Sequence, residues 1–439
     1  MSKYENFSAW SEMPVDLQAP LEGVTKAEVA IIGGGFTGLM AAITLSDRGV
    51  DVALLEQEFC GFGASGRNAG HLTPTIGRDI AYCLKMFGQE RGIQLAHFAE
   101  EAVAFTEHVF ETHSIECDYS PTGNIIAGVH EKQRKALVNA AGAVSRAGIQ
   151  MRFMDEDEMR QRSLPQAFKF GIQEQTGGLL HPGKYVMALR QIAISKGIRV
   201  YEKTSVTEID ASGTSIRLSS SGGSLQAGKV LIATNAFTAP GLGRMHNTVA
   251  PLRVTLFNTR PLTDEEMANL GWSGRQGIYT AHQALENYRL TPDNRISGGS
   301  KWVQYGFGSK LVDGNQPEVF NKFKELLKIR FPELPDLEIE TFWGGWIGLT
   351  LDMLPVVGTD KRIPNLFHSV GYNGHGIAQA TKMGHVMAYE ILGEPQKEVS
   401  LLTRRRIPMP PEPLRWIGIK AAEMAMSGID KRVDQALTQ

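Results

Sequence analysis

The segment AEVAIIGGGFTGLMAAITLSDRG, residues 27 to 49, constrains this chain more than any other. A short apolar, β-branched run is stopped by glycine. A helical pattern follows, with Leu39, Ala42, Ile43 and Leu45 on or near one face, until Gly49 closes it. VDVALLEQ reads as a second buried strand, so the unit is β-α-β and calls for a parallel sheet. Gly33, Gly35 and Gly38 make GxGxxG at the strand-to-helix turn, around Phe36 and Thr37. The first glycine permits the tight turn, the second lets backbone approach a pyrophosphate, and the third lets helix pack on strand. The helix N-terminus turns partial positive charge toward the phosphates. Glu56, followed by Gln57, ends the second strand 18 residues after Gly38, where an acceptor for a ribose hydroxyl belongs. Its charge disfavours a 2′-phosphate. The segment therefore predicts an adenine dinucleotide, and by itself leaves NAD and FAD both open.

Further α/β pieces recur along the chain. KYVMALRQIAISKGIRVYEKTSVTEID gives helix, glycine stop and strand, and KVLIATNAF is another buried strand. LFHSVGYNGHGIAQATKMGHVMAYEIL gives strand, glycine-rich turn and helix. Between them lie polar helices, the strand-like TGNIIAGVH, the strand RVTLFNTRPL, and YRLTPDNRISGG, which folds two strands about PDN. The predicted division is an irregular N-terminal arm over 1–26 and a dinucleotide-binding domain over 27–80, 181–247 and 341–398. A substrate domain takes 81–180 and 248–340, and a tail with a helix takes 399–439.

A chain of 439 residues exceeds one small core, which suits two interleaved domains. Lys and Arg number 45 against 47 Asp and Glu, so no general pull toward nucleic acid or anionic membrane exists. Cys60, Cys83 and Cys117 form no CxxC or CxxxxC pair. That argues against a zinc site, a disulfide framework or a disulfide reductase, and for a reducing compartment. No signal pattern opens the chain and no apolar run is long enough to span a bilayer, so a cytoplasmic location is expected.

GFGASGRNAGHLTP, residues 61 to 74, follows the second strand directly. It resembles the flavin-contacting loop of the D-amino-acid-oxidase-like superfamily of FAD oxidoreductases, most closely the bacterial gamma-glutamylputrescine oxidase branch. The N-terminal Trp before PLEG, GGLLHPGKYVMAL, KVLIATNAF and SVGYNGHGI are similar as well, so the resemblance spans about residues 8 to 395. With the residue patterns it leads to an α/β fold class: a Rossmann-like FAD-binding domain with an interleaved α+β substrate domain on a mainly antiparallel sheet.

The resemblance implies bound FAD. Ser65, Gly66, Arg67, Asn68, Gly70 and His71 would contact phosphate or flavin edge. Val206 would offer backbone to the adenine, and Thr234, Asn235 and Gly345 would sit at family-like positions. A second turn, Gly371, Asn373, Gly374, His375, Gly376 and Ile377, would set another helix N-terminus at the flavin ring, where negative charge develops on reduction. Some relatives attach flavin through a histidine in an HAAG pattern. Here the residues read RNAG, so FAD is expected to be non-covalent.

The implied reaction oxidises a C–N bond of a small amine or N-substituted amino acid. Hydride passes to flavin N5, the imine hydrolyses, and O2 takes the electrons. The alternative is a dehydrogenase of similar fold feeding a quinone or other carrier. The basic run at 404–406 and Trp416, Ile417 and Ile419 allow membrane docking, although dimer or domain packing is favoured, and oligomeric state stays open. His375, Lys301 and His181 are the catalytic candidates. Lys301 is offset from the relatives' lysine, and its competing reading is a solvated surface charge. Trp302, Tyr305 and Trp346 are candidate aromatic walls for an amine, with core packing as the competing reading. Arg253 and Arg289 are candidate partners for a substrate carboxylate or phosphonate, against surface salt bridges.

Overall fold

The computed structural model describes residues 2–10, 12–77, 80–242 and 244–437. One sheet has a parallel core in which Leu366–Val370, Gly223–Ile232, Gly23–Ile32, Val52–Leu55 and Arg199–Tyr201 lie side by side in that order. Ile216–Ser219 pairs antiparallel with the first half of Gly223–Ile232 and carries Glu208–Asp210 at its outer edge; Val356–Thr359 pairs antiparallel with Leu366–Val370. Residues 29–32, 52–55 and 230–232 read as unbroken apolar runs because both faces are covered there, whereas the first halves of the two long strands carry exposed or half-buried polar residues such as Lys26 and Gln226. The helices Phe36–Asp47, Pro182–Ser195 and Gly376–Leu392 share the core on one face.

Among the described residues, the other large sheet has nine strands. In order they are Lys3–Glu5, Ile339–Leu349, Ala250–Pro261, Arg295–Gly299, Asn287–Leu290, Gly277–Thr280, Asn124–Gly128, Phe170–Glu174 and Met151–Met154. Its pairings are antiparallel except at Lys3–Glu5 with Ile339–Leu349 and at Gly277–Thr280 with Asn124–Gly128. The amphipathic helix Pro317–Arg330 buries Val319, Phe320, Phe323, Leu326 and Leu327 in the core beneath it. The reading of residues 1–26 as irregular is corrected here. Lys3–Glu5 is an edge strand, held by the Tyr4 ring stacked 6.0 Å from Phe320 and by Ser2, whose hydroxyl donates to the Ile339 carbonyl at 2.6 Å. These contacts come from far along the chain, and three polar residues show no alternation that would announce them.

Gly23–Ile32, Val52–Leu55, Gly223–Ile232 and Leu366–Val370 all run the same way, so Gly33, Glu56, Thr234 and Gly371 emerge on one edge of the sheet. The carboxyl edge of an open α/β sheet is where ligands bind. A small pairing of His71–Leu72 with Gly178–Leu179 anchors the 61–77 loop between this edge and the nine-stranded sheet.

Candidate active site

A cavity of about 1270 Å³ is walled by that edge and by one face of the nine-stranded sheet. Gly33, Gly35, Phe36 and Thr37 bound one end. A Cβ at Gly38 would lie 1.9 Å from the Gly33 carbonyl oxygen and 3.2 Å from the Ile31 side chain, so only glycine lets the helix start this close to the strand. Gly33 has φ +108°, a conformation that favours glycine. No acidic residue sits in the first turn of Phe36–Asp47, and Ser65 Oγ accepts the Phe36 N–H at 3.0 Å. A helix N-terminus with uncompensated partial positive charge thus opens on the cavity, which fits a pyrophosphate.

Glu56, Gln57, Val206, Thr234 and Asn235 continue the wall. The Glu56 carboxylate accepts the N–H groups of Gly34 at 2.8 Å and Glu58 at 3.0 Å. Burial pushes its carboxyl up to about 7 against those hydrogen bonds. Asn235 Oδ1 accepts the Gly371 N–H at 2.9 Å. The Tyr372 hydroxyl lies 2.8 Å from Thr37 Oγ1 and 2.7 Å from Ser369 Oγ. The late turn is thereby fastened to the first one. Asn373, Gly374, His375, Gly376 and Ile377 wall the cavity beyond it, where Gly376–Leu392 begins with His375 at its N-cap. Two helix N-termini therefore address one cavity, as an extended dinucleotide with a charged middle and a redox-active head requires. The residues present fit FAD.

From the 61–77 loop, Ser65, Asn68, Gly70 and His71 reach the wall. Gly66, Arg67 and Gly345 do not. Arg67 is neither at the cavity nor solvated. Its guanidinium donates to the carbonyls of Phe62 at 2.7 Å, Phe7 at 2.7 Å and Gly344 at 3.0 Å, packed among the Phe7, Phe62 and Trp346 rings. Burial lowers it to about 10. It braces the loop against Ile339–Leu349.

Among the catalytic candidates, His375 walls the cavity, while Lys301 and His181 do not. Lys301 is buried and paired with Glu286 and, at 2.9 Å, with Asp434, which replaces the solvated reading. His181 caps Pro182–Ser195 by accepting the Lys184 N–H at 3.1 Å. The substrate candidates are also set back from the wall. Leu252, Val254 and Leu256 face the cavity as alternate strand residues, so Arg253 points away, held by Gln304 at 3.1 Å and the Gly314 carbonyl at 3.0 Å. Trp346 is likewise out of phase with Ile347 and Leu349 and donates to the Val312 carbonyl at 2.9 Å. Tyr305 donates to Glu412 at 2.6 Å, and Trp302 packs edge-on to Phe323. Arg289 is buried rather than in a surface salt bridge; it donates to the Leu180 carbonyl at 2.5 Å and lies over Trp10.

Sequence reasoning missed two parts of the wall. One is Tyr279, whose hydroxyl donates to the buried Glu174 carboxylate. The other is Met426, Ile429, Asp430 and Val433 of the helix Leu414–Asp434, a helical stripe that its spacing could have revealed. Asp430 accepts the N–H groups of Gln283 at 2.8 Å and Ala284 at 2.9 Å, and Asp434 accepts from Arg330 at 2.6 Å. Against burial, which works to raise it, Arg330 and Lys301 hold the neighbouring Glu286 down to about 2.

Comparison with known proteins places these features in context. The family model described as DAO, FAD dependent oxidoreductase, matches residues 28–390. Gamma-glutamylputrescine oxidoreductase of Escherichia coli (strain K12) is 27% identical over 411 residues, covering 92% of this chain and 94% of that protein. A probable oxidoreductase, OrdL, of Haemophilus influenzae is 25% identical over 395 residues, covering 89% and 88%. The crystal structure of glycine oxidase from Geobacillus kaustophilus superposes with a TM-score of 0.74 at 21% identity, covering 87% of this chain and 99% of that one.

Proposed function

The chain belongs to the FAD dependent oxidoreductase family, and from that premise we propose that it oxidises a small amine or N-substituted amino acid, with O2 as electron acceptor. FAD is its cofactor, held without a covalent bond, and supplies the two-electron acceptor. The observation that carries the reading is the size and division of the cavity. At about 1270 Å³ it exceeds the roughly 300–1,000 Å³ of a site for one small ligand. One part is bounded by two helix N-termini, the other by apolar residues of the nine-stranded sheet, which leaves room for an amine beside the cofactor. The chain's own task is to bind the amine, exclude water and aim its C–H bond. The FAD-binding parts are assigned to 27–80, 181–247 and 341–398, with 81–180 and 248–340 as the substrate domain, corrected at two places: Ile339–Leu349 pairs within the nine-stranded sheet, and the helix Gln89–Thr112 packs in the core of the FAD-binding helices.

The test is an anaerobic screen in which gamma-glutamylputrescine, glycine, N-methylglycine and an aminophosphonate are each mixed with the yellow protein. Bleaching of the flavin band by an amine is expected; a band unchanged by all would refute the reading. The acceptor is tested in air, where O2 use gives hydrogen peroxide in proportion to amine consumed.

A second acceptor is favoured by one observation. Leu414, Trp416, Ile417 and Met424 are exposed on the C-terminal helix, as a dehydrogenase docking on a membrane to reduce a quinone requires. No helix among the described residues is long and apolar enough to cross a membrane. Turnover with a quinone and no peroxide would select this acceptor and with it a membrane-surface location over the cytoplasm.

A further inference from the structure

The cavity wall contributed by the nine-stranded sheet contains a buried polar cluster. Asn124 and Glu174 are paired across adjacent strands, and Tyr279 pairs with Ile126 on the next strand, so all three side chains share the cavity face. Tyr279 is at the wall, and its hydroxyl donates to Glu174 Oε2 behind it. Glu174 is fully buried, and its Oε1 has no hydrogen-bond partner. Asn124 Oδ1 lies 3.0 Å from His71 Nδ1, while its amide donates to the Leu72 carbonyl at 2.9 Å. His71 Nε2 is also buried without a partner. A Cβ at Gly277 would lie 2.3 Å from Asn124 Oδ1 and 2.5 Å from His71 Nδ1, so the backbone there is kept bare to admit this pair.

Buried unpartnered polar atoms cost stability, on the order of 1–3 kcal/mol each, and persist where they serve a role. We propose that Tyr279 and Glu174 form a proton relay that takes the ammonium proton from the bound amine substrate. The inference rests on the amine reading above. In the step, the substrate N–H bond breaks toward Tyr279 Oη while the Tyr279 O–H proton passes to Glu174 Oε2. The nitrogen keeps the electron pair, and no oxidant or reductant takes part. Glu174 ends neutral, and the proton leaves by the reverse path to water once the product has gone. An amine must be neutral before it can give up hydride, and a cavity with few charges disfavours the ammonium form.

The electrostatics around the pair suit this use. Burial raises Glu174 to about 7, against the hydrogen bond from Tyr279 and the nearby Asn124 amide. Burial and then the Arg289 charge hold His71 down to about 3, so it stays a neutral acceptor. Burial, with Glu174 beside it, keeps the Tyr279 phenol protonated well above its ordinary value, and Thr73 is its other partner. The other charged groups of the wall are Glu56, Lys85, Lys132 and Asp430. Glu56 is bound by the Gly34 and Glu58 amides and Asp430 by the Gln283 and Ala284 amides. No cation forms an ion pair with Glu174 among the described residues.

Two measurements on the FAD-loaded protein test the relay. The first, on protein labelled with ¹³C at the glutamate carboxyls and free of amine, follows the carboxyl resonances by NMR between about pH 5 and about pH 9. A resonance with a midpoint near neutrality that disappears in Glu174→Gln is expected, and one in the ordinary carboxylate range overturns the relay. The second follows anaerobic flavin bleaching by gamma-glutamylputrescine, or by whichever amine of the screen bleaches fastest. Glu174→Gln and Tyr279→Phe should slow it near pH 7 by on the order of 100-fold and move the rise in rate to higher pH, toward the ionisation of the amine itself. Glu174→Asp, which keeps the carboxyl, should restore part of the rate. Bleaching by an amine with unmoved pH profiles in both variants overturns the relay and spares the amine reading; failure of every amine overturns both.

Discussion

Asn235 Oδ1 accepts the Gly371 backbone N–H at 2.9 Å and thereby joins two turns 136 residues apart. Each turn follows a strand of the same parallel sheet, and both wall the cavity through their neighbours. The first turn, the middle strand and the late turn thus form one continuous wall of the cavity, the cradle proposed for FAD.

Replacing Asn235 with Ala leaves the Gly371 N–H without its partner, at a cost of about 1–3 kcal/mol. If half of that cost falls on the bound state, FAD is held roughly two- to thirteenfold less tightly. Flavin fluorescence on dilution measures the release.

Gly38→Ala puts a methyl group 1.9 Å from the Gly33 carbonyl, and backbone must move to relieve it. The purified variant should be colourless or nearly so while keeping its far-ultraviolet circular dichroism. The matching control is Gly418→Ala in the helix Leu414–Asp434, where nothing lies within 4 Å of the added Cβ. That change should leave flavin content intact and raise stability by up to about 1 kcal/mol.

Much of the cradle was legible in the sequence, because a glycine turn between strand and helix carries its own geometry. GGGFTG and GYNGHG could be read as turns, and both reach the cavity. Arg67, Arg253, Arg289 and Lys301 were not legible in the same way. An isolated Arg or Lys reads as a solvated or ligand-facing charge, whereas here strand phase and distant carbonyls or carboxylates bury all four. Tyr279 was hidden for a related reason: its partner Glu174 lies 105 residues away, two strands over in the sheet.

The contribution of Glu56 and Glu174 to folding stability should fall as pH rises from about 4.5 to about 7, opposite in sign to that of buried His71 and His368, which are held below their ordinary value. Glu56 and Glu174 are raised from 4.5 to about 7, so in that window the folded chain holds protons that the unfolded chain has released. Each carboxyl contributes at most about 3 kcal/mol. Glu174→Gln should therefore gain stability relative to the parent between about pH 5 and about pH 8, read from urea unfolding at the two pH values.

The C-terminal helix is latched by charge. Asp434→Ala deprives buried Arg330 and Lys301 of a shared carboxylate and should cost about 3–5 kcal/mol. Limited proteolysis should then cut between residues 403 and 414 faster than in the parent. Glu286 and Asp434 are both held below their ordinary values, so the stability they contribute is present above about pH 4.5 and lost as pH falls toward about 2. Acid should accordingly release this helix before the parallel sheet unfolds.

Anaerobic titration of the purified yellow protein with the most effective amine decides whether the bound flavin oxidises amines. One equivalent of amine should bleach one equivalent of FAD and yield one equivalent of the carbonyl product. A flavin band that stays oxidised with every amine, yet bleaches at once with dithionite, would contradict the account.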